Sequence, residues 1–149
     1  MAKKQKAQKK KSAPAPAQPL AALYRLDPGT PRGDAVCAVL QEQGIRVRTV
    51  PAERLGDPVG AIAGVKGFHP LRTPYAGEVP EAEFMLLANV PGPQLDVLLA
   101  AMREADCSVP CKAQLTQHNR VWPFATLVRE VSREHQMMAE AAEESSLSV

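Results

Sequence analysis

The chain has 149 residues, of which 45% are hydrophobic and 23% are charged, so it has the length and composition of one soluble globular domain with tails. This composition excludes a collagen, a disulfide scaffold and a wholly disordered protein. No uncharged apolar run approaches the roughly 20 residues that cross a bilayer, so we expect no membrane span and no membrane partner.

The basic charge is concentrated at the N-terminus. The formal net charge is +2, but removing residues 1–19 leaves 12 basic and 16 acidic residues. This first segment contains no acidic residue and is rich in Ala, Pro and Gln, which predicts a disordered tail. Its lysines are Lys3, Lys4, Lys6, Lys9, Lys10 and Lys11. Such a run can hold RNA non-specifically by releasing counterions, and we expect Arg46 and Arg48 to add to that contact.

The first half of the remaining chain has the pattern of a strand, a helix and a second strand. An apolar run over residues 21–26 stops at Asp27-Pro28-Gly29. Thr30 and Pro31 are typical of a helix start, and the helix extends to residue 43, before Gly44. Residues 45–50 then alternate with period two, as in a half-buried strand.

The second half repeats this order and adds a helix. The apolar run 84–90 stops at Pro91-Gly92-Pro93, and a helical stripe follows over residues 92–105. Residues 109–115 alternate as a strand. The final helix begins near Trp122-Pro123, and its apolar stripe comprises Phe124, Leu127, Val128, Val131 and Met138.

These patterns predict an α+β fold with a four-stranded sheet. The first and third strands are almost continuously apolar, so we place them at the centre, with the alternating second and fourth strands at the edges. Two βαβ halves with this strand order predict a ferredoxin-like sheet, and an open parallel sheet is the alternative. We expect one domain over residues 20–142, between the tail at 1–19 and a frayed acidic end at 143–149.

We expect helices on both faces of this sheet. The helices 30–43 and 92–105 form one layer, and the final helix covers the apolar centre of the other face. By alternation that second face carries Leu23, Arg25, Arg46, Arg48, Met85, Leu87, Lys112 and Gln114.

The segment between the halves contains Gly60, Gly64 and Gly67, followed by Phe68. The spacing matches neither a P-loop nor a dinucleotide fingerprint. Small residues that let a short helix near 58–65 pack closely are the better interpretation, and we expect a surface loop from there to Tyr75.

The chemistry-bearing residues form no evident catalytic or metal site. Cys37, Cys107 and Cys111 are an odd number of cysteines and fit reduced thiols in the cytoplasm. Cys107, Cys111 and His118 supply only one loosely spaced group of candidate ligands. Zinc takes four ligands, usually from two closely spaced pairs, so we expect no metal and no cofactor. A Cys–His nucleophile pair would need a contact that the sequence does not reveal. His135, beside Glu134 on the final helix, is expected to hydrogen-bond a partner at the helix end.

Residues 112–122 contain a motif in which Thr116, Asn119 and Trp122 follow a Lys-Ala strand. Thr and Asn side chains bond local backbone groups and fix such turns, and Trp122 would anchor the helix start. The alternative is a binding site in which Lys112, Thr116 and Asn119 hold a small anionic ligand near the helix N-terminus.

The same motif carries a family resemblance. The run from Lys112 to Trp122, followed by Leu127, Glu130, Glu134 and His135, resembles an uncharacterised bacterial family filed as a domain of unknown function (number 3783). The glycine segment at 60–68 and Tyr75 also resemble that family, so the likeness extends over residues 21–138. The resemblance implies no activity, because the family has none assigned.

We therefore expect a non-catalytic cytoplasmic module that binds a protein partner or a small anionic ligand. The alternative is an RNA- or ribosome-associated accessory protein held by its lysine tail. An enzyme using Lys112, Asn119 or His135 is the least favoured class, since no nucleophile–base pair is visible. A weakly protected edge strand could also pair two copies into a homodimer.

Overall fold

The computed structural model describes residues 18–147, so most of the predicted 1–19 tail lies outside the described residues. Four strands and four helices follow in this order: β1 Leu20–Tyr24, α1 Pro31–Glu42, β2 Arg46–Thr49, α2 Val59–Ile62, β3 Phe84–Ala88, α3 Gly92–Glu104, β4 Lys112–Gln114 and α4 Phe124–Leu147. Short 3-10 turns at Ala52–Arg54 and Asn119–Val121 precede α2 and α4 respectively. None of the helices in this part of the chain combines the length and the apolar character that a bilayer crossing requires.

The four strands form one mixed sheet in the order β2-β1-β3-β4. β1 and β3 pair antiparallel at its centre, with Leu20 opposite Ala88 and Tyr24 opposite Phe84. β2 lies parallel to β1, and β4 lies parallel to β3. The predicted α+β class is confirmed, and the second and fourth strands form the edges as expected.

The ferredoxin-like topology is not confirmed. In a ferredoxin-like sheet the two βαβ halves interleave, so that the strands of one half do not pair with each other. Here each half pairs its own strands in parallel, and within the sheet the halves are joined by the β1–β3 pair. Burial separates central strands from edge strands, but it does not specify which edge strand pairs with which centre, because both arrangements bury the same residues.

Two apolar cores lie on opposite faces of the sheet. On one face Leu23, Met85 and Leu87 pack against α1 and α3. On the other face Tyr24, Phe84 and Leu86 pack against α2 and the start of α4, where Phe84 and Phe124 meet edge to face. The expected two-sided cover by helices is confirmed.

The predicted assignment of strand residues to the two faces is correct for Arg46 and Arg48, whose partners in β1 belong to the core beneath α4, and wrong for the residues of β1, β3 and β4. Leu23, Met85 and Leu87 face the α1–α3 layer rather than the final helix. Lys112 and Gln114 share that face, since they pair with Met85 and Leu87. Every residue of β1 and β3 is buried, so these strands carry no polar alternation from which the orientation could be inferred.

Local capping and close packing follow the sequence signals. The Thr30 hydroxyl accepts a hydrogen bond from the Gly33 amide at 3.0 Å, and Pro31 opens α1 as predicted. In α2, a Cβ at Gly60 would lie 2.7 Å from the ring of Phe68. Only a glycine lets the ring approach this closely, so close packing explains Gly60. Gly64 and Gly67 have open space where a Cβ would lie and instead adopt positive φ angles of 79° and 92°, which favour glycine.

α4 covers the sheet with only about two turns. Phe124, Leu127 and Val128 are buried, and Val131 is half-buried. Residues 133–143 are exposed, and Met138, predicted to share the packed stripe, is 72% exposed. We call residues 133–147 the projecting part of α4.

Candidate functional site

The turn between β4 and α4 is held by reciprocal hydrogen bonds. The Thr116 amide donates to the Asn119 carboxamide oxygen at 2.9 Å, and the Asn119 amide donates to the Thr116 hydroxyl at 3.0 Å. The Asn119 side-chain NH₂ donates to the Gln114 carbonyl at 3.0 Å. These bonds use the side chains of both residues to satisfy backbone groups, as the structural interpretation of the motif predicts.

The Trp122 amide donates to the Asn119 carbonyl at 3.0 Å, but the side chains of Lys112 and Trp122 take no part in this network. The Lys112 ammonium donates to the Val109 carbonyl at 3.1 Å, on the face of β4 that α1 and α3 cover. Trp122 is half-buried on the opposite side of the sheet, where its ring meets the His118 ring edge to face with centroids 5.3 Å apart. The structure therefore does not gather Lys112 with Thr116 and Asn119 around one anion position.

Backbone contacts with residues 55–59 fix the start of α4. The Phe124 amide donates to the Asp57 carbonyl at 2.9 Å, and the Ala125 amide donates to the Leu55 carbonyl at 2.8 Å. These carbonyls satisfy amides that a helix start leaves without an internal partner. Two segments far apart in sequence thus set the direction in which α4 leaves the sheet.

Asp57 fastens the loop that follows. It is 2% exposed, forms an ion pair with Arg54, and accepts a hydrogen bond from the Leu71 amide at 2.9 Å. A buried carboxylate needs such partners, because burial without them is costly. We interpret Asp57 as structural, since all of these bonds join it to its own loop.

Two concavities lie along α4. The first, which we call the cleft, has a volume of about 390 Å³ and separates the underside of α4 from the end of the sheet. Ser132, His135, Gln136 and Ala139 line it from the helix; Ala82, Glu83, Pro110 and Cys111 line it from below.

The second concavity, which we call the groove, has a volume of about 560 Å³ and runs between α4 and the segment 78–82. It shares Ala82, Ser132 and Gln136 with the cleft, so the two are contiguous. Arg129 spans its wall by donating to the Tyr75 hydroxyl and the Glu78 carbonyl at 3.3 Å each. Together the two form one surface depression beneath and beside α4.

Cys111 lies at the bottom of the cleft and has a thiol with a raised pKa. It is 6% exposed, and burial raises its pKa, although the positive charge of Lys112 and a hydrogen bond from Ser132 act in the opposite direction. Because the thiolate is the reactive form, a raised pKa makes Cys111 a poor nucleophile. His135 is exposed on the cleft wall rather than fixed at a helix end.

The residues considered for metal binding do not converge. Cys107 packs in the core beneath α1 and α3, whereas Cys111 packs on the opposite face of the sheet. Within the described part of the chain, no group of three or more His, Cys, Asp or Glu side chains could hold a metal ion.

The predicted RNA contacts lie in two parts of the chain, and the structure describes only the second part, which contains Arg46 and Arg48. All six lysines, Lys3 to Lys11, lie outside the described residues. Arg46 is exposed on the edge strand β2, and Arg48 donates to the Ile62 carbonyl at 2.7 Å and so also ties β2 to α2.

Sequence reasoning missed the cleft and the groove. Their lining comes from three separate segments, 78–83, 110–111 and 129–139, and the family motif that overlaps the last of these does not indicate a cavity. The available signal was the length of α4, whose apolar stripe extends further than a two-turn contact with the sheet requires.

Comparison with curated proteins and with solved structures gives no match. The family resemblance noted in the sequence is confirmed for the second half of the chain, whereas residues 21–82, to which it was also extended, lie outside the match. The matching segment contains β3, α3, β4, the Thr116–Trp122 turn and the part of α4 above the cleft. Over residues 83–138 the chain matches the family model described as Domain of unknown function (DUF3783).

Proposed function

We propose that this protein is a non-catalytic cytoplasmic binding module that receives a segment of a partner protein beneath α4. The observation that carries the proposal is the contiguous depression formed by the cleft and the groove. Their volumes, about 390 and 560 Å³, lie in the range of 300–1,000 Å³ that is typical of ligand-binding pockets.

The exposed underside of α4 favours a polypeptide over a small molecule. Met138 follows Val131 by seven residues, so it continues the stripe that covers the sheet core. Met138 is 72% exposed and the adjacent Met137 is 59% exposed. Met138 is thus an exposed apolar side chain that follows Glu134 and His135 along the line of the packed stripe, and methionine adapts its shape to different partners.

The chemistry of the cleft supports binding rather than catalysis. Its thiol, on Cys111, is kept protonated by burial, so it behaves as a small apolar group. Ala82, Pro110 and Ala139 supply further apolar surface. A bulky apolar side chain of the partner would contact these residues, and Ser132, His135 and Gln136 would supply polar groups beside it.

A displayed library of random peptides, selected on the full-length protein, tests the proposal. Ala139→Trp fills the cleft from an exposed helix position, so it should weaken the selected peptides at least tenfold. Ala38→Trp makes the same change on the exposed face of α1 and should leave their affinity within twofold. Peptides that bind Ala139→Trp and the unmodified protein equally would place the binding surface elsewhere.

RNA association remains the second proposal, supported by the exposed Arg46 on the edge strand β2. It predicts binding to a generic single-stranded RNA at low salt that weakens steeply as salt rises. Substitution of the six tail lysines by glutamine should then remove most of the affinity. Absence of binding at low salt would reject this proposal.

A further inference from the structure

From the charges around the cleft we infer that the segment it accepts is basic and amphipathic, with one bulky apolar side chain flanked by lysine or arginine. This inference rests on the proposed function and names the chemistry of the partner. The apolar side chain would enter the cleft, and the flanking cations would lie along its rim.

Acidic residues are concentrated around this surface. Eight of the sixteen acidic residues in the chain fall in the two segments 78–83 and 130–144. The segment 78–83 forms one wall of the depression, and α4 forms the other. Glu78, Glu81 and Glu130 line the groove and Glu83 lines the cleft, whereas Glu134, Glu140 and Glu143 lie elsewhere along α4.

The neighbouring arginines neutralise only part of this charge. Arg133 pairs with Glu130 at 2.7 Å, and Arg32 pairs with Glu83 at 2.6 Å. Arg129 is held by a hydroxyl and a carbonyl group.

Glu78 and Glu81 line the groove and are exposed, and none of the salt bridges among the described residues involves them. The rim therefore keeps a net negative charge that favours a cationic partner and speeds its association.

Two other occupants fit this surface less well. A second copy placed with α4 against α4 would bring the same acidic residues together, which is unfavourable. The lysine tail of the same chain has the required charge, but residues 2–19 contain no Val, Ile, Leu, Met or aromatic residue to fill the cleft. A partner segment that supplies both the charge and the apolar side chain satisfies both features of the site.

The test uses three synthetic peptides that share a central leucine, flanked by four lysines, four glutamines or four glutamates. Affinity for the full-length protein is measured by fluorescence anisotropy at 50 and 300 mM NaCl. Amide chemical shifts of ¹⁵N-labelled protein locate the contact. We expect the lysine peptide to bind at least tenfold more tightly than the glutamine peptide, to weaken severalfold at the higher salt, and to shift residues 132–139.

Charge variants distinguish attraction of the peptide to the acidic rim from attraction to acidic residues elsewhere on the protein. Glu78→Gln combined with Glu81→Gln removes the two unpaired charges of the groove and should weaken the lysine peptide severalfold. The matched control combines Glu42→Gln with Glu104→Gln, at exposed positions on α1 and α3, and should change affinity by less than twofold.

Each of the contrary results has a distinct meaning. Equal affinity for the lysine and glutamine peptides, with shifts at the cleft, would overturn the inferred charge and leave the proposed function standing. Equal weakening by both double variants would also overturn it, since the attraction would then be non-specific. No shift at the cleft with any peptide would reject the proposed function itself. A dimer that Ala139→Trp abolishes would assign the cleft to a second copy and overturn the inference.

Discussion

Replacing Asn119 by alanine separates the structural interpretation of the β4–α4 turn from the ligand-binding one. In the fold, the Asn119 side chain accepts from the Thr116 amide and donates to the Gln114 carbonyl. It is 8% exposed, so it has little access to solvent. Alanine would remove both bonds and leave two backbone groups without their partners.

The expected cost follows from these two bonds. An intramolecular hydrogen bond contributes about 1 kcal/mol net, and a buried group left without a partner costs about 1–3 kcal/mol. Thr116 and Gln114 are themselves exposed, so water can reach part of the vacated positions and the lower values apply. We expect Asn119→Ala to lower the free energy of unfolding by about 2 kcal/mol, and the melting temperature by roughly 6–10 °C.

Urea unfolding followed by circular dichroism measures the change. Thr116→Ser keeps the hydroxyl that accepts from the Asn119 amide and should remain within about 0.5 kcal/mol of the unmodified protein, whereas Thr116→Ala should lose about 1 kcal/mol. The double alanine variant should lose less than the sum of the two single changes, because both residues hold one turn. If Asn119→Ala has no measurable effect on unfolding, the bonds do not stabilise the turn and our reasoning is refuted.

Three further predictions concern stability. Asp57→Ala should lower the free energy of unfolding by about 2–3 kcal/mol in urea titrations and speed amide exchange at Leu71, because it removes bonds to a buried carboxylate. Gly60→Ala should cost about 1–3 kcal/mol through overlap with Phe68, and most of that loss should vanish in a Phe68→Ala background, where the new methyl group meets no ring. Burial raises the pKa of the Cys107 thiol above its value in the unfolded chain. The stabilising contribution of the protonated thiol is therefore complete below about pH 8.5 and is lost as the pH rises through the folded pKa. Between pH 7.5 and 10, the free energy of unfolding in urea should fall less for Cys107→Ala than for the unmodified protein.

The order of the elements was predictable because each one carries its own local signal. Thr30 and Pro31 mark a helix start through a hydroxyl that can cap and a ring that already has helical geometry. The runs at β1 and β3 are apolar at every position, which identified them as central strands buried on both faces. These signals depend on residues adjacent in the chain, so no tertiary contact is needed to interpret them.

The pairing of strands and their orientation were not predictable from the same patterns. A strand that is buried on both faces has no polar face to indicate its orientation, so Leu23 and Met85 were assigned to the wrong side. Both the ferredoxin-like order and the observed order place β1 and β3 at the centre. The choice between them depends on contacts between the two halves, which neither half specifies alone.

The candidate site was likewise predictable from the sequence only in part. The sequence by itself determined the Thr116–Asn119 turn, because both partners lie within three residues and their side chains bond the local backbone. Only the tertiary structure decided where the depression lies. Backbone contacts with residues 55–57 fix the direction of α4, and that direction opens the space above Cys111. A cavity is a property of distances between segments remote in sequence, so the pattern along one chain does not encode it locally.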